Sequence, residues 1–218
     1  MQKLLILGAT GRTGKHLLAE ALKANHEVHI LVRNARKVNI DSPKLVIFEG
    51  LSTDLLTLEK AMEGCEVVLS ALNISRTSDF PWAALRTPTD FLSNTIKNII
   101  ALTPKLGVKH VVVTSAWGVL ETKAHIPFWF RWLIDYSNIG YGYREHENQE
   151  QILQRSSINW TAVRPVGLTN FTEIKPVQVS FNNSPKPNLL ISRLNVARYM
   201  LDIAQKHIYV RQAPTISE

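Results

Sequence analysis

A doubly wound α/β fold, with a mostly parallel sheet and helices on both of its faces, is what this 218-residue sequence predicts. Three observations carry it. Short aliphatic and β-branched runs alternate along the chain with longer stretches in which apolar residues recur every three or four positions, the pattern of successive βαβ units. A glycine-rich turn, "LGATGRTGKHL" at residues 7–17, joins the first such run to the first such stretch. With 45% hydrophobic and 20% charged residues, the chain supports one sizeable core, and no internal repeat or interdomain linker divides it, so residues 1–218 are expected to form a single domain.

The elements follow in order. Residues 4–7, 28–32, 45–48, 67–70, 111–113 and 161–163 are apolar or β-branched runs that read as buried strands. Between them, residues 13–24, 54–63, 90–105 and about 143–156 carry the helical spacing. Each connection between parallel strands should cross over with the right hand, which places helices on both faces. After the sixth strand, residues 176–187 are rich in Pro and Asn, and "LLISRLNVARYMLDIAQ" reads as a short strand followed by an amphipathic helix.

The glycine turn acquires meaning from its place. It follows a strand and opens a helix, as a dinucleotide site of the Rossmann kind requires. Gly8 permits the tight turn, Gly11 lets backbone N–H groups approach a pyrophosphate, and Gly14 lets the helix pack closely on the sheet. The helix N-terminus then faces the phosphates. At the end of the second strand, where an Asp or Glu would bind a ribose 2′-hydroxyl, "HILVRNARK" supplies Arg33. A guanidinium there suits a 2′-phosphate, with Arg12 and Lys37 adding charge from the side. NADP(H) is therefore the expected cofactor, against the alternative of three solvated surface cations.

In chain order, "LLILGATGRTG", "VHILVRN", "GCEVVLSALN", "GVKHVVVTSA", "QILQRSSINWTAVRP" and "ISRLNVARYML" resemble the atypical, extended-type short-chain dehydrogenase/reductases, an NAD(P)H-binding, NmrA-like group. Within it the sequence is most similar to the flavin reductase/biliverdin reductase B-like proteins. The resemblance spans nearly the whole chain, and "TSA" after the fifth strand and "VRP" after the sixth sharpen it. It implies one NAD(P)-binding Rossmann domain, with residues from about 165 to 218 contributing to the acceptor side. It also implies that Gly8, Thr10, Gly11, Arg12 and Thr13 line the pyrophosphate, that Arg33 meets the 2′-phosphate, and that Leu72, Asn73 and Pro165 lie beside the nicotinamide ribose. Relatives often carry Asp after the glycine that ends the third strand, where it can contact adenine. Here Gly50 is followed by Leu51, so an apolar contact or a backbone bond has to substitute.

Ser115 falls where the family places its active-site serine, and the resemblance has its hydroxyl bonding the nicotinamide amide or the acceptor. The alternative is a serine that caps the strand end. His146 falls near the family's histidine in the following helix; there it either orients substrate or is an exposed helix histidine. The family's second histidine has no counterpart, because Pro165 is followed by Val166 and Gly167, which speaks against biliverdin as the substrate.

Two functional classes follow. Ketone-reducing members of the superfamily pair a Tyr with a Lys four residues later, which lowers the phenol pKa. That pair is absent: Tyr136 is followed at this spacing by Gly140, Tyr141 by Glu145 and Tyr143 by Glu147. Flavin reduction asks for less, since hydride passes to a stacked ring and the protein mainly orients and polarises. The expectation is an NADPH-dependent oxidoreductase that passes hydride to a flavin or quinone-like acceptor, with Ser115 and His146 as its candidate catalytic residues. The alternative is a regulatory, redox-sensing protein that binds NADP without turnover.

Other features narrow the field. Lys plus Arg exceed Asp plus Glu by seven, but the cations are scattered and no basic helix is interleaved with aromatics, so no nucleic-acid partner is expected. The single Cys65 cannot close an internal disulfide and suits a reducing compartment, and the first apolar run does not read as a signal peptide. A cytoplasmic protein, monomeric or homodimeric, is expected. "HENQE" at residues 146–150 is not a zinc-binding HExxH pair, so no metal site is expected. The aromatic stretch at residues 125–143, with Trp129, Trp132 and Tyr136, is too short and too interrupted to span a membrane. It is a lid over the acceptor, a partner interface or buried helix packing.

Overall fold

The computed structural model of the protein describes residues 1–218 and is built on one eight-stranded sheet. In chain order the elements are β1 (Lys3–Leu7), α1 (Arg12–Lys23), β2 (Glu27–Val32), β3 (Leu45–Glu49), α2 (Leu55–Met62), β4 (Val67–Ser70), α3 (Phe91–Leu106) and β5 (His110–Thr114). They continue with α4 (Phe128–Tyr136), α5 (Ile139–Gln154), β6 (Trp160–Pro165), β7 (Gly167–Thr169), β8 (Gln178–Ser180), β9 (Leu190–Ser192), α6 (Arg193–Lys206) and β10 (Thr215–Ser217). The strand order is β3-β2-β1-β4-β5-β6-β10-β8, parallel except where β8 runs antiparallel to β10. A separate parallel pair joins β7 to β9.

Alternation along β1 shows how the layers are held. Leu4 and Ile6 face α1 and α6, where Leu17, Val196 and Met200, with Ile30 of β2, complete a fully buried layer. Leu5 and Leu7 face the opposite way, against Leu58, Ile99 and Leu153 of α2, α3 and α5. Each such side chain contributes about 1.5–3 kcal/mol on burial, so both faces of the central strands must be apolar.

Seven strands and five helices form where the sequence places them, with differences that have physical causes. The helix expected from residue 143 begins at Ile139. Gly140 and Gly142 hide its period, and Gly140 is small because α5 crosses α4 there: a Cβ would lie 2.3 Å from the Ile134 carbonyl oxygen. β3 is not a buried strand. It is the sheet edge, with only β2 beside it, and Val46 and Ile47 stay 47% and 39% exposed. The short strands β7, β8 and β10 have too few residues to show a period. The aromatic stretch divides: α4 buries only Ile134 and leaves Phe128, Trp129, Trp132 and Tyr136 exposed, which corrects buried packing for those four, whereas Phe130 and Tyr143 do pack against the core.

The strand order reverses between β1 and β4. Connections leave these neighbours in opposite directions, so a crevice must open at their C-terminal ends.

Candidate functional site

A cleft of about 1100 Å³ occupies that crevice. Its floor is the glycine turn, where Gly8 adopts a φ of +81° and its carbonyl accepts the Gly11 N–H at 2.9 Å. Gly14 does not line the cleft but lies beneath it: a Cβ there would fall 1.9 Å from the Gly8 oxygen. The first turn of α1 has no side-chain cap and no acidic residue, so its free N–H groups and the positive end of its dipole are left for an anion. Thr10, Gly11, Arg12, Thr13, Leu72, Asn73 and Pro165 line the same cleft.

Arg33 and Lys37 flank the outer lobe, on a short turn held in place by two bonds. Asn34 Oδ1 accepts the Arg36 N–H at 2.9 Å, and Glu49 Oε2 accepts the Ala35 N–H at 3.0 Å. Leu51 lines this lobe, half exposed, and the buried Ser52 beside it is bonded to Thr95 at 2.8 Å. Arg12, expected to line the pyrophosphate and add charge from the side, lines the cleft but is itself paired. Its two terminal nitrogens donate to both carboxylate oxygens of Asp79 at 2.9 Å, and these bonds hold the Asp79 carboxyl below its ordinary value.

Asp79 belongs to a strap that the sequence reading passed over. Residues 71–90 join β4 to α3 with no regular element, longer than a passive connection needs to be. The strap folds on itself where the Thr77 N–H donates to the Ala84 oxygen at 2.9 Å. It then docks on α4: Trp82 Nε1 donates to the Tyr136 carbonyl at 2.9 Å, and the Trp82 and Trp132 rings meet edge to face. Of the α4 aromatics, Trp129 and Phe130 line the cleft, while Trp132 and Tyr136 lie outside it. The length of the aperiodic stretch was the signal available for the strap.

The inner lobe is where β5, α5 and β6 converge. Ser115, immediately after β5, is buried and donates its hydroxyl to Glu150, so it is not simply a cap on the strand end. Arg164 on β6 donates to Glu150 through Nε at 2.9 Å and Nη2 at 2.6 Å, and pairs on its other side with Glu121. Sequence reading noticed the "VRP" run but not this pair, because residues 150 and 164 show no spacing relation until α5 packs beside β6.

His146 is not an exposed helix histidine. It is 4% exposed and lines the cleft, burial pushes its pKa down to about 4, and its Nδ1 has no partner. It is a neutral imidazole at neutral pH. Tyr143, one turn earlier on α5, is pushed up by burial, the reverse of an activated phenol. Cys65 sits in the core, its thiol pushed up to about 12 by burial.

A family profile described as NAD(P)H-binding matches residues 8–207. The chain is 28% identical over 217 residues to the oxidoreductase aflX of Aspergillus parasiticus, covering 94% of this chain and 78% of that one. It is 25% identical over 162 residues to a (4-alkanoyl-5-oxo-2,5-dihydrofuran-3-yl)methyl phosphate reductase of Streptomyces griseus subsp. griseus, covering 74% of this chain and 46% of the relative. Among solved structures, a wide-type short-chain dehydrogenase/reductase from Veillonella parvula in complex with NADP aligns with a TM-score of 0.78 at 21% identity, over 100% of this chain and 94% of that one. The anaerobillin reductase ChuY from Escherichia coli O157:H7 aligns with a TM-score of 0.78 at 17% identity, over 99% and 97%.

Proposed function

Since the chain belongs to the NAD(P)H-binding family, we propose that it is an NADPH-dependent reductase that passes hydride to a flavin or quinone-like ring in the cleft over β1, β4 and β5. The observation that carries this reading is the continuity of the cleft. A single opening of about 1100 Å³ joins the glycine turn and Arg33 to Ser115, His146 and Trp129, and it exceeds the roughly 300–1,000 Å³ of an ordinary single-ligand site. It has room for a dinucleotide and a second ring together.

The residues fit the cofactor. The uncapped start of α1 suits a pyrophosphate, and Gly11, which lines the cleft without a side chain, leaves the backbone open to it. Arg33 with Lys37, and no carboxylate at the end of β2, suits a 2′-phosphate. Bound NADPH supplies the hydride. The chain's own part is to hold the two rings in register and to exclude water, with Leu72, Pro165 and Val166 as walls and Trp129 and Phe130 as a partial cover. A ring that accepts hydride at nitrogen or across a conjugated system needs no strong protein acid. None is offered here, since Tyr143 is buried with its phenol raised and His146 is neutral.

The test is to mix purified protein with NADPH and, separately, FMN, riboflavin, lumiflavin and menadione, and to follow loss of the reduced-nicotinamide absorbance. Turnover well above the protein-free rate with at least one ring supports the proposal. Tight NADPH binding without turnover on any of them would refute it and favour the redox-sensing alternative.

A further inference from the structure

One buried chain of groups has no task in the hydride step: Arg164, Glu150 and Ser115. Glu150 is fully buried, and Arg164 and Ser115 are nearly so. Arg164 spans both oxygens of Glu150, at 2.9 and 2.6 Å, and Ser115 Oγ rests against Oε1. Both carboxylate oxygens already accept guanidinium N–H groups, so the proton in the Ser115–Glu150 contact is the serine's own. A hydroxyl has one O–H and two lone pairs. With the O–H committed to Glu150, Ser115 has only acceptor capacity left toward the cleft that it lines. Its neighbours do not duplicate this. Thr114 Oγ1 donates away from the cleft to the Ser70 carbonyl at 2.8 Å, and Gln149 donates to the Thr114 carbonyl at 3.0 Å. Turning the serine round would leave a buried carboxylate one bond short, which disfavours the turned rotamer by roughly ten- to hundredfold.

We propose that Glu150, held by Arg164, is a positioning residue that fixes Ser115 as a hydrogen-bond acceptor toward the cleft, so that the site selects a planar ring presenting an N–H there. The N–H is the carboxamide of the nicotinamide or the imide of an isoalloxazine. This deepens the reading of the cleft as a nicotinamide and acceptor site and rests on it. Conversely, Ser115 does not donate to the oxygen of a carbonyl under reduction, and a quinone, which has no N–H, gains nothing from it.

Two pairs of probes differ at that N–H. NADP⁺ and its 3-acetylpyridine analogue, in which a methyl replaces the amide nitrogen, are compared by calorimetric binding. Lumiflavin and 3-methyllumiflavin are compared by kcat/KM with NADPH. The wild-type protein should prefer the N–H member of at least one pair by about tenfold, and Ser115→Ala should bring that pair to within about twofold. The pair that collapses identifies the source of the N–H. In Glu150→Gln the carbamoyl oxygen settles opposite Arg164 Nη2, because an NH2 there would face only a donor, and the NH2 then takes the place of Oε1 and donates to Ser115 Oγ. The serine O–H is thereby released toward the cleft, and the preference should collapse although Ser115 is intact.

A thermal melt establishes whether Glu150→Gln is folded. If it is not, Ser115→Ala, which keeps the Arg164–Glu150 pair, decides alone. A wild-type protein indifferent within both pairs, a preference that survives Ser115→Ala, or one that survives in folded Glu150→Gln overturns the proposal. The binding arm does not depend on turnover. Selective NADP⁺ binding that Ser115→Ala abolishes, in a protein that reduces no ring, would support this assignment while refuting the reductase reading.

Discussion

Gly11→Ala and Gly14→Ala should separate binding from folding, although the two positions are three residues apart in one turn. At Gly14 a Cβ would sit 1.9 Å from the Gly8 oxygen and 2.6 Å from its carbonyl carbon. Both obstacles are backbone, and an ordinary contact needs about 3.4 Å, so α1 would have to retreat from the turn by about 1.5 Å. Leu17, Leu18 and Ala21 on the same helix are buried against the sheet and oppose that shift. Overpacking of this kind costs about 1–3 kcal/mol, and a rigid backbone clash belongs at the top of that range. For a chain of this size the melting temperature should fall by roughly 6–12 °C.

At Gly11 the backbone lies at φ −78°, which any residue adopts, and a Cβ would meet only the Gly8 oxygen, at 3.1 Å. That variant should melt within about 2 °C of wild type. It should nevertheless bind NADPH roughly ten- to hundredfold more weakly, because the added methyl stands where the phosphate meets the helix N-terminus and removes a bond worth about 1.5–3 kcal/mol. Thermal melts and calorimetric titration of the two variants decide the matter. A Gly14→Ala protein that melts like wild type, or a Gly11→Ala protein that binds NADPH unimpaired, would refute the reasoning.

Arg33→Ala should weaken NADPH by about 1.5–3 kcal/mol and NADH much less, since only one has a 2′-phosphate; equal losses by calorimetry would remove Arg33 from that role. Trp129→Ala should raise the acceptor KM and leave that of NADPH nearly unchanged, because Trp129 lines the cleft, whereas Trp132→Ala should act through the Trp82 contact that seats the strap. An identical kinetic effect from both would argue against this division, and a change in mass by light scattering would point to an interface instead. Acid should destabilise the fold through its buried histidines. His110 and His146 titrate near 4 when folded against an ordinary 6.5, so between these values the unfolded chain binds more protons and stability is lost as pH falls through the window. The melting temperature should drop from pH 6.5 toward 4, and His146→Gln should flatten that drop; an unchanged slope would contradict the burial argument.

Local chemistry made much of this protein legible from its sequence. The strand runs, the helical periods and the glycine turn are patterns within a few consecutive residues, fixed by the pleat, the helical repeat and the absence of a Cβ, so they read the same before and after folding. The place of Arg33 on the cleft was legible the same way, because the end of β2 is a position the pattern itself defines. Tertiary structure decided everything that depends on which distant segments meet. Only the packing of α5 beside β6 brings Glu150 to Arg164 and turns Ser115 from a strand-end serine into a committed donor. Packing also removes His146 from water, reversing its expected exposure, and lets Asp79, 67 residues away in the chain, claim Arg12. Hydrogen-bond partners and burial belong to the assembled layers, and no spacing along the chain encodes them.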